Sequence, residues 1–271
     1  MTRGPAAMAL KVLGRLVVAL ILLFVILPAI VVTLTAFNDR AILAFPPQTW
    51  SLRWFARAFD YRDFSKGFWN GLTITVWAST IAVLIGAAFA FAIHRYDFKL
   101  KRLIEGILLS PLIIPHYTVG LGLLMLASQS GAGRGFPLVI LTHVVLVLPF
   151  VIRSVLISLQ NLDTRLELAA CSLGASPLRV LLTITVPLLL PGLLSGWLFA
   201  AILSFNEFTA TLFVSNQATQ TLPVAMYNYV REFADPALAA LSVIYIVVTA
   251  TLLGFANAFL GLGKILNVDA H

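Results

Sequence analysis

Uncharged or nearly uncharged runs recur along the chain at about 16–37, 67–93, 103–127, 136–152, 186–214 and 237–260. Each is close to the ~20 apolar residues that a helix needs to cross the hydrocarbon core of a bilayer. A helix satisfies its own backbone hydrogen bonds in lipid, so the pattern predicts an all-α membrane protein of six transmembrane helices. The first run follows Arg3, Lys11 and Arg15. It is longer than the ~7–15-residue core of a signal peptide and has no clear small-residue cleavage site before the next polar stretch, so it reads as the first span.

Composition agrees. Hydrophobic residues make up 60% of the chain and charged residues 11%, with a mean hydropathy of +0.98. A soluble domain carries about 25% charged residues. The net charge of +7 would suggest nucleic acid in a soluble chain. Here it reflects basic loops on the cytoplasmic side of a membrane, with lipid as the partner and no nucleic acid. Eleven Lys and Arg lie in the N-terminal segment, 94–102, 153–185 and the C-terminal tail, against seven in the other loops. Arg95, Lys99, Lys101 and Arg102 in one short loop are the strongest part of that bias. Both termini and the 153–185 loop are therefore expected in the cytoplasm. The single cysteine, Cys171, excludes an internal disulfide and lacks the partners of a metal site.

Several polar residues stand at membrane depth or beside it. Ser51 can cap a short helix in which Leu52, Phe55 and Phe59 share a face, with Trp50, Trp54 and Trp69 near it; this predicts an interfacial helix in the outer leaflet. The third run holds Pro111, Pro115, Gly120 and Gly122, which bend a helix and free backbone carbonyls. His116 and Tyr117 lie in it, and an ionisable residue there either lines a path or bonds a neighbouring helix. Glu207, about 20 residues past Pro187, is expected ~30 Å along the fifth span with Asn206 beside it. It is either a residue of the ligand path or an interfacial carboxylate at the helix end. Asp235-Pro236 reads as the start of the sixth span.

The stretch 163–187, DTRLELAACSLGASPLRVLLTITVP, interrupts this apolar pattern. Thr164 can N-cap a short helix, with Glu167 closing a capping box. Leu166, Ala169, Ala170 and Leu173 fall on one face of it. Gly174 suits its C-terminal stop, and Ser176-Pro177 restarts a second helix. The two make a compact knob. Ala169-Ala170, Gly174, Ile184 and Pro187, with Val186 for Leu, match the spacing of the EAA loop, so the stretch resembles the permease subunits of binding-protein-dependent type I ABC importers. The motif's glutamate position holds Leu168, and Glu167 sits one residue earlier, rotated ~100° about the helix. The resemblance implies one type I transmembrane domain over 1–271, with the loop 157–185 as a coupling helix between spans 4 and 5. Glu167, Ala169, Ala170, Gly174, Ala175 and Ser176 would then serve ATPase coupling, with Glu167 either a contact or only a cap.

Three further stretches resemble the polyamine (spermidine/putrescine) branch of that superfamily: LLSPLIIPHYTVGLG at 108–122, FNEF at 205–208 and TLPVAMYNYV at 221–230. The resemblance implies a bacterial inner-membrane importer with two ATPase subunits that bind ATP and Mg2+, a second permease, and an outer solute-binding protein. A path residue such as Glu207 suits a cation, while other branches carry sulfate, ferric iron, thiamine or aminophosphonates. No cofactor is expected in this chain: GLGK at 261–264 lacks the upstream Gly of a phosphate-binding loop and is followed by Ile265. An intramembrane enzyme built on His116, His143 and Glu207, or a channel without ATP coupling, would leave the knob unexplained.

Overall fold

The computed structural model describes residues 5–41, 45–233 and 235–260; Arg3, the GLGK stretch and the tail after Leu260 lie outside them. Among the described residues the regular secondary structure is helical, with one isolated antiparallel bridge between Asn38 and Trp50. In order the helices are α1 (Pro5–Thr35), α2 (Arg53–Asp60), α3 (Arg62–Arg95), α4 (Lys101–Leu109), α5 (His116–Gln129), α6 (Phe136–Gln160), α7 (Thr164–Ser172), α8 (Pro177–Val180), α9 (Val186–Phe205), α10 (Thr209–Val214), α11 (Leu222–Glu232) and α12 (Ala237–Leu260). Four helical stretches are long and apolar enough to cross a membrane: Lys11–Thr35, Arg62–Arg95, Phe136–Gln160 and Pro177–Phe205. A fifth crossing is available if the bent pair Lys101–Leu112 and His116–Gln129 counts as one.

Two expected spans differ from straight rods. The 103–127 run bends by 108° at Ile113–Pro115. Pro115 has no N–H to continue the helix and disfavours helical geometry at Ile114. The 186–214 run starts earlier and stops earlier. Ser176, whose hydroxyl accepts from the Arg179 N–H, and Pro177 open a helix that passes through a π-helical turn at Leu181–Thr185 and ends at Phe205. Asn206–Phe208 then break the chain before α10.

The described residues up to Arg62, with Asn228–Val248, make one compact unit. In it the Trp54 indole N–H donates to the Asn38 carbonyl at 2.7 Å. That bond turns Trp54 and Ala58 inward and leaves Leu52 and Phe59 exposed, the outward apolar face an interfacial helix needs. Asp235 accepts from the Ala237 N–H at 3.0 Å and from the Tyr229 hydroxyl at 2.9 Å, and so caps α12 as its place before Pro236 predicts.

The second unit is Asp63–Tyr227 with the described residues from Thr249 on. Its core joins α3, α6 and α9 through Ala78, Ala82 and Ala90, Val147, Val151 and Val155, and Leu189 and Ala200. Without a hydrophobic force between helices in lipid, close approach depends on small residues. Gly192 and Gly196, four apart on α9, face Ser158 and Ser154 on α6, and Ser154 donates to the Gly192 carbonyl at 3.0 Å. Gly120 of α5 meets Ala210 of α10 the same way; an added Cβ would lie 2.8 Å from the Ala210 oxygen.

At Gly192 an added Cβ would fall 1.8 Å from Ser158 Oγ and 2.6 Å from its Cβ. Gly192→Val is therefore expected to destabilise the chain by about 1–3 kcal/mol. Ser158→Gly in the same chain should recover much of that loss, as read from thermal unfolding in detergent.

Candidate functional site

The 163–187 knob forms as two helices, with one change at its start. Asp163, not Thr164, is the N-cap of α7, its carboxylate accepting from the Arg165 N–H at 2.9 Å. Asp at that position offers the same cap with a charge that favours the helix N-terminus. The expected capping box is absent, because Glu167 faces elsewhere. Gly174 ends α7 at φ +84°, with the Ala175 N–H on the Ala170 carbonyl and the Gly174 N–H on that of Cys171. This is a Schellman stop, which only glycine forms without strain.

Glu167 is 6% exposed. One carboxylate oxygen pairs with the Arg95 guanidinium at the end of α3, and the other accepts from the Thr185 hydroxyl at 2.5 Å at the start of α9. Burial alone raises its pKa, but the hydrogen bonds from Arg95 and Thr185 and the nearby Arg95 and His94 outweigh that and hold it below the ordinary 4.5. Around it lies a cleft of about 420 Å³ that Tyr96, Leu168 and Cys171 help to line. Leu168, in the motif's glutamate position, is 65% exposed, and Leu166, Ala169 and Leu173 also face outward. Ala170 and Ala175 are half-buried, and Ser176 is exposed. The Leu166–Leu173 face is therefore solvent-facing, as a docking knob requires.

The second group lies where the two broken helices meet. His116 opens α5 directly after Pro115, and its Nδ1 is 2.7 Å from Glu207 Oε2. Glu207 is not part of a continuous helix but sits in the Asn206–Phe208 break. Its Oε1 accepts from the Ala210 N–H at 2.7 Å, so the carboxylate caps α10. Tyr117 and Asn206 are exposed beside the pair, and the Asn206 amide donates to the Ile202 carbonyl at 2.7 Å. His143 does not join Glu207. It is fully buried between the hydroxyls of Ser204 on α9 and Thr211 on α10, each 2.8 Å from a ring nitrogen. Whichever nitrogen carries the hydrogen, a hydroxyl can answer it. Among the described residues no group of three metal-ligating side chains occurs.

Sequence reasoning did not find the bridging role of His143 or the partners of Glu207 and Glu167. In the sequence Arg95 signals only a cytoplasmic loop, and the Gly192–Gly196 pair is a local signal for close packing.

The arrangement of broken and unbroken apolar helices is one that solved structures share. Two of them are a bacterial ABC transporter that imports the acidic polysaccharide alginate (TM-score 0.70, 13% identity, 94% of this chain and 98% of that one) and the inward-facing MetNI methionine ABC transporter (0.63, 19%, 73% and 95%). The family described as binding-protein-dependent transport system inner membrane component matches residues 82–260. The spermidine/putrescine permease PotC of Haemophilus influenzae is 31% identical over 84% of this chain and 89% of its own. The putrescine permease PotI of Escherichia coli K12 is 30% identical, covering 81% and 80%. The chain belongs to this family of permeases and is a multi-pass protein of the bacterial inner membrane.

Because the folded pKa of Glu167 is lowered, its stabilising contribution is present above about pH 4.5 and lost as pH falls through the lower folded value. The difference in melting temperature between the native chain and Glu167→Gln should stay constant from about pH 7 to 5 and shrink as the pH is lowered further.

Proposed function

We propose that this chain is one membrane-spanning permease subunit of an ABC importer for a small cationic solute of the polyamine class. The observation that carries the reading is the Glu207 carboxylate at the junction of two broken helices, in a chain about 30% identical to PotC and PotI over most of its length. Discontinuous helices are where transporters expose polar groups at membrane depth, and a carboxylate there attracts an ammonium group. His116 holds Glu207 in the resting state, and an arriving amine replaces it. Tyr117 and Asn206 border the same path.

In this reading the whole chain is one type I transmembrane domain with six spans, both termini cytoplasmic; the bent α4–α5 pair and the shorter α12 supply the fifth and sixth. ATP and Mg2+ bind two separate ATPase subunits, and this chain hydrolyses nothing. The ATPases dock on the α7–α8 knob, where Ala169, Ala170, Gly174, Ala175 and Ser176 shape the contact. A second permease subunit completes the pathway, and a solute-binding protein delivers substrate from outside; the alginate ABC transporter forms a complex with a periplasmic protein that holds an alginate pentasaccharide. ATP-driven closure moves the knob as a rigid body and exchanges inward- and outward-open states.

A second reading rests on the molybdenum permease ModB of Haemophilus influenzae, 37% identical over 58% of this chain. An oxyanion would meet the Glu207 carboxylate unfavourably, so the cation is preferred. Uptake of radiolabelled spermidine and putrescine, competed with molybdate, separates the two. Glu207→Gln should lower polyamine uptake by about 10–100-fold, the effect of losing a charged hydrogen bond worth about 1.5–3 kcal/mol. Unchanged uptake by a fully assembled variant removes Glu207 from the path. Gly174→Pro, which cannot adopt a φ of +84°, should abolish solute-stimulated ATP hydrolysis while membrane insertion remains intact.

A further inference from the structure

Glu167, one residue before the motif's glutamate position, is turned away from the exposed face of the knob. Glu167 is buried, and both of its oxygens are taken by groups of the same chain. Arg95, 72 residues away in sequence, is the last residue of α3 and lies with its guanidinium 5.4 Å from the Phe91 ring centroid. Thr185 closes the π-helical turn that leads into α9, and it too is buried. A π-helical turn is a local irregularity that is frequent where a helix has functional work. One short knob helix is thus bonded to the ends of two long helices through a single carboxylate.

We infer that the Arg95–Glu167–Thr185 clasp is the mechanical link between the knob and the membrane helices α3 and α9, with Glu167 a positioning residue rather than a partner contact. The inference rests on the proposed coupling role of the knob. Glu167 and Thr185 are buried while Arg95 is partly open to solvent, and a charge-assisted set of hydrogen bonds with its acceptor buried holds its geometry better than apolar side chains, which slide past one another. The one-residue shift between Glu167 and the exposed Leu168 is then functional. It directs the carboxylate inward and leaves an apolar side chain at the surface position. Movement of the docked knob must carry the α3 and α9 ends with it, because the clasp leaves α7 no independent travel.

The test uses the complete transporter in lipid nanodiscs, with its ATPase, second permease and binding protein. Solute moved per ATP hydrolysed is compared for the native chain, Glu167→Ala, Arg95→Ala and the double variant. The clasp predicts that the ATPase co-purifies in the native ratio and that each single variant moves about tenfold less solute per ATP. The double variant should be no worse than either. A general loss of stability would lower transport and hydrolysis together and leave their ratio unchanged, which would overturn the assignment. So would loss of the ATPase from Glu167→Ala but not from Arg95→Ala, since Glu167 would then be a direct contact.

A second measurement does not depend on the coupling reading. Melting temperatures of the isolated full chain in detergent should be non-additive across the same three variants, and additive losses would remove the clasp. Leu173→Asp, on the exposed knob face, tests the reading itself. If it leaves solute-stimulated hydrolysis at the native level, the knob is not the docking site, while the melting cycle still judges the clasp.

Discussion

Unpaired backbone groups cannot stand in hydrocarbon, and the two interrupted helices of this permease are organised by that constraint. At Asn206–Phe208 the chain leaves helical geometry, and the first free N–H groups of α10 need acceptors. Glu207 supplies one to Ala210, and His143 ties Ser204 before the break to Thr211 after it. The other break, before His116, places an imidazole against the same carboxylate. Of the polar groups that make the breaks tolerable, His143, Ser204 and Thr211 are buried, and the His116–Glu207 pair is the more open one. Structural need and candidate chemistry coincide at Glu207.

Close packing makes that junction possible. α5 and α10 approach through Gly120 and Ala210, and α6 and α9 through Gly192, Gly196, Ser154 and Ser158. Larger side chains at these points would separate the helices by more than a hydrogen bond can span. The same small residues leave much of the outer helical surface apolar, with Leu188, Leu190 and Phe199 of α9 exposed for lipid or for another subunit.

The knob follows a different logic. Its ends are set locally, by Asp163 and Ser176 at the starts and Gly174 at the stop, so it keeps its shape as a unit. Leu166, Leu168, Leu173 and Leu178 face outward and its buried charge, Glu167, faces inward. Such a body can receive a partner on one side and act on the membrane helices from the other.

The sequence alone determined the helical class, the positions of the apolar runs, the Gly174 stop, the Ser176-Pro177 restart and the family. Each depends on residues within one or two turns of each other, where periodicity and capping chemistry act. It also marked Glu207 and His116 as residues that lipid would not tolerate without a reason. It did not place Thr164 correctly, because Asp163 and Thr164 are both good caps and only the path of the chain into α7 chooses between them. Nor could it show that span 5 breaks at Asn206, since the apolar run continues to Val214. What only the tertiary structure decided is which distant side chains meet: His116 with Glu207, 91 residues apart, and Arg95 with Glu167, 72 apart. Those meetings depend on how α3, α5, α6 and α9 cross, and crossing is a property of complementary surfaces rather than of any local stretch of chain.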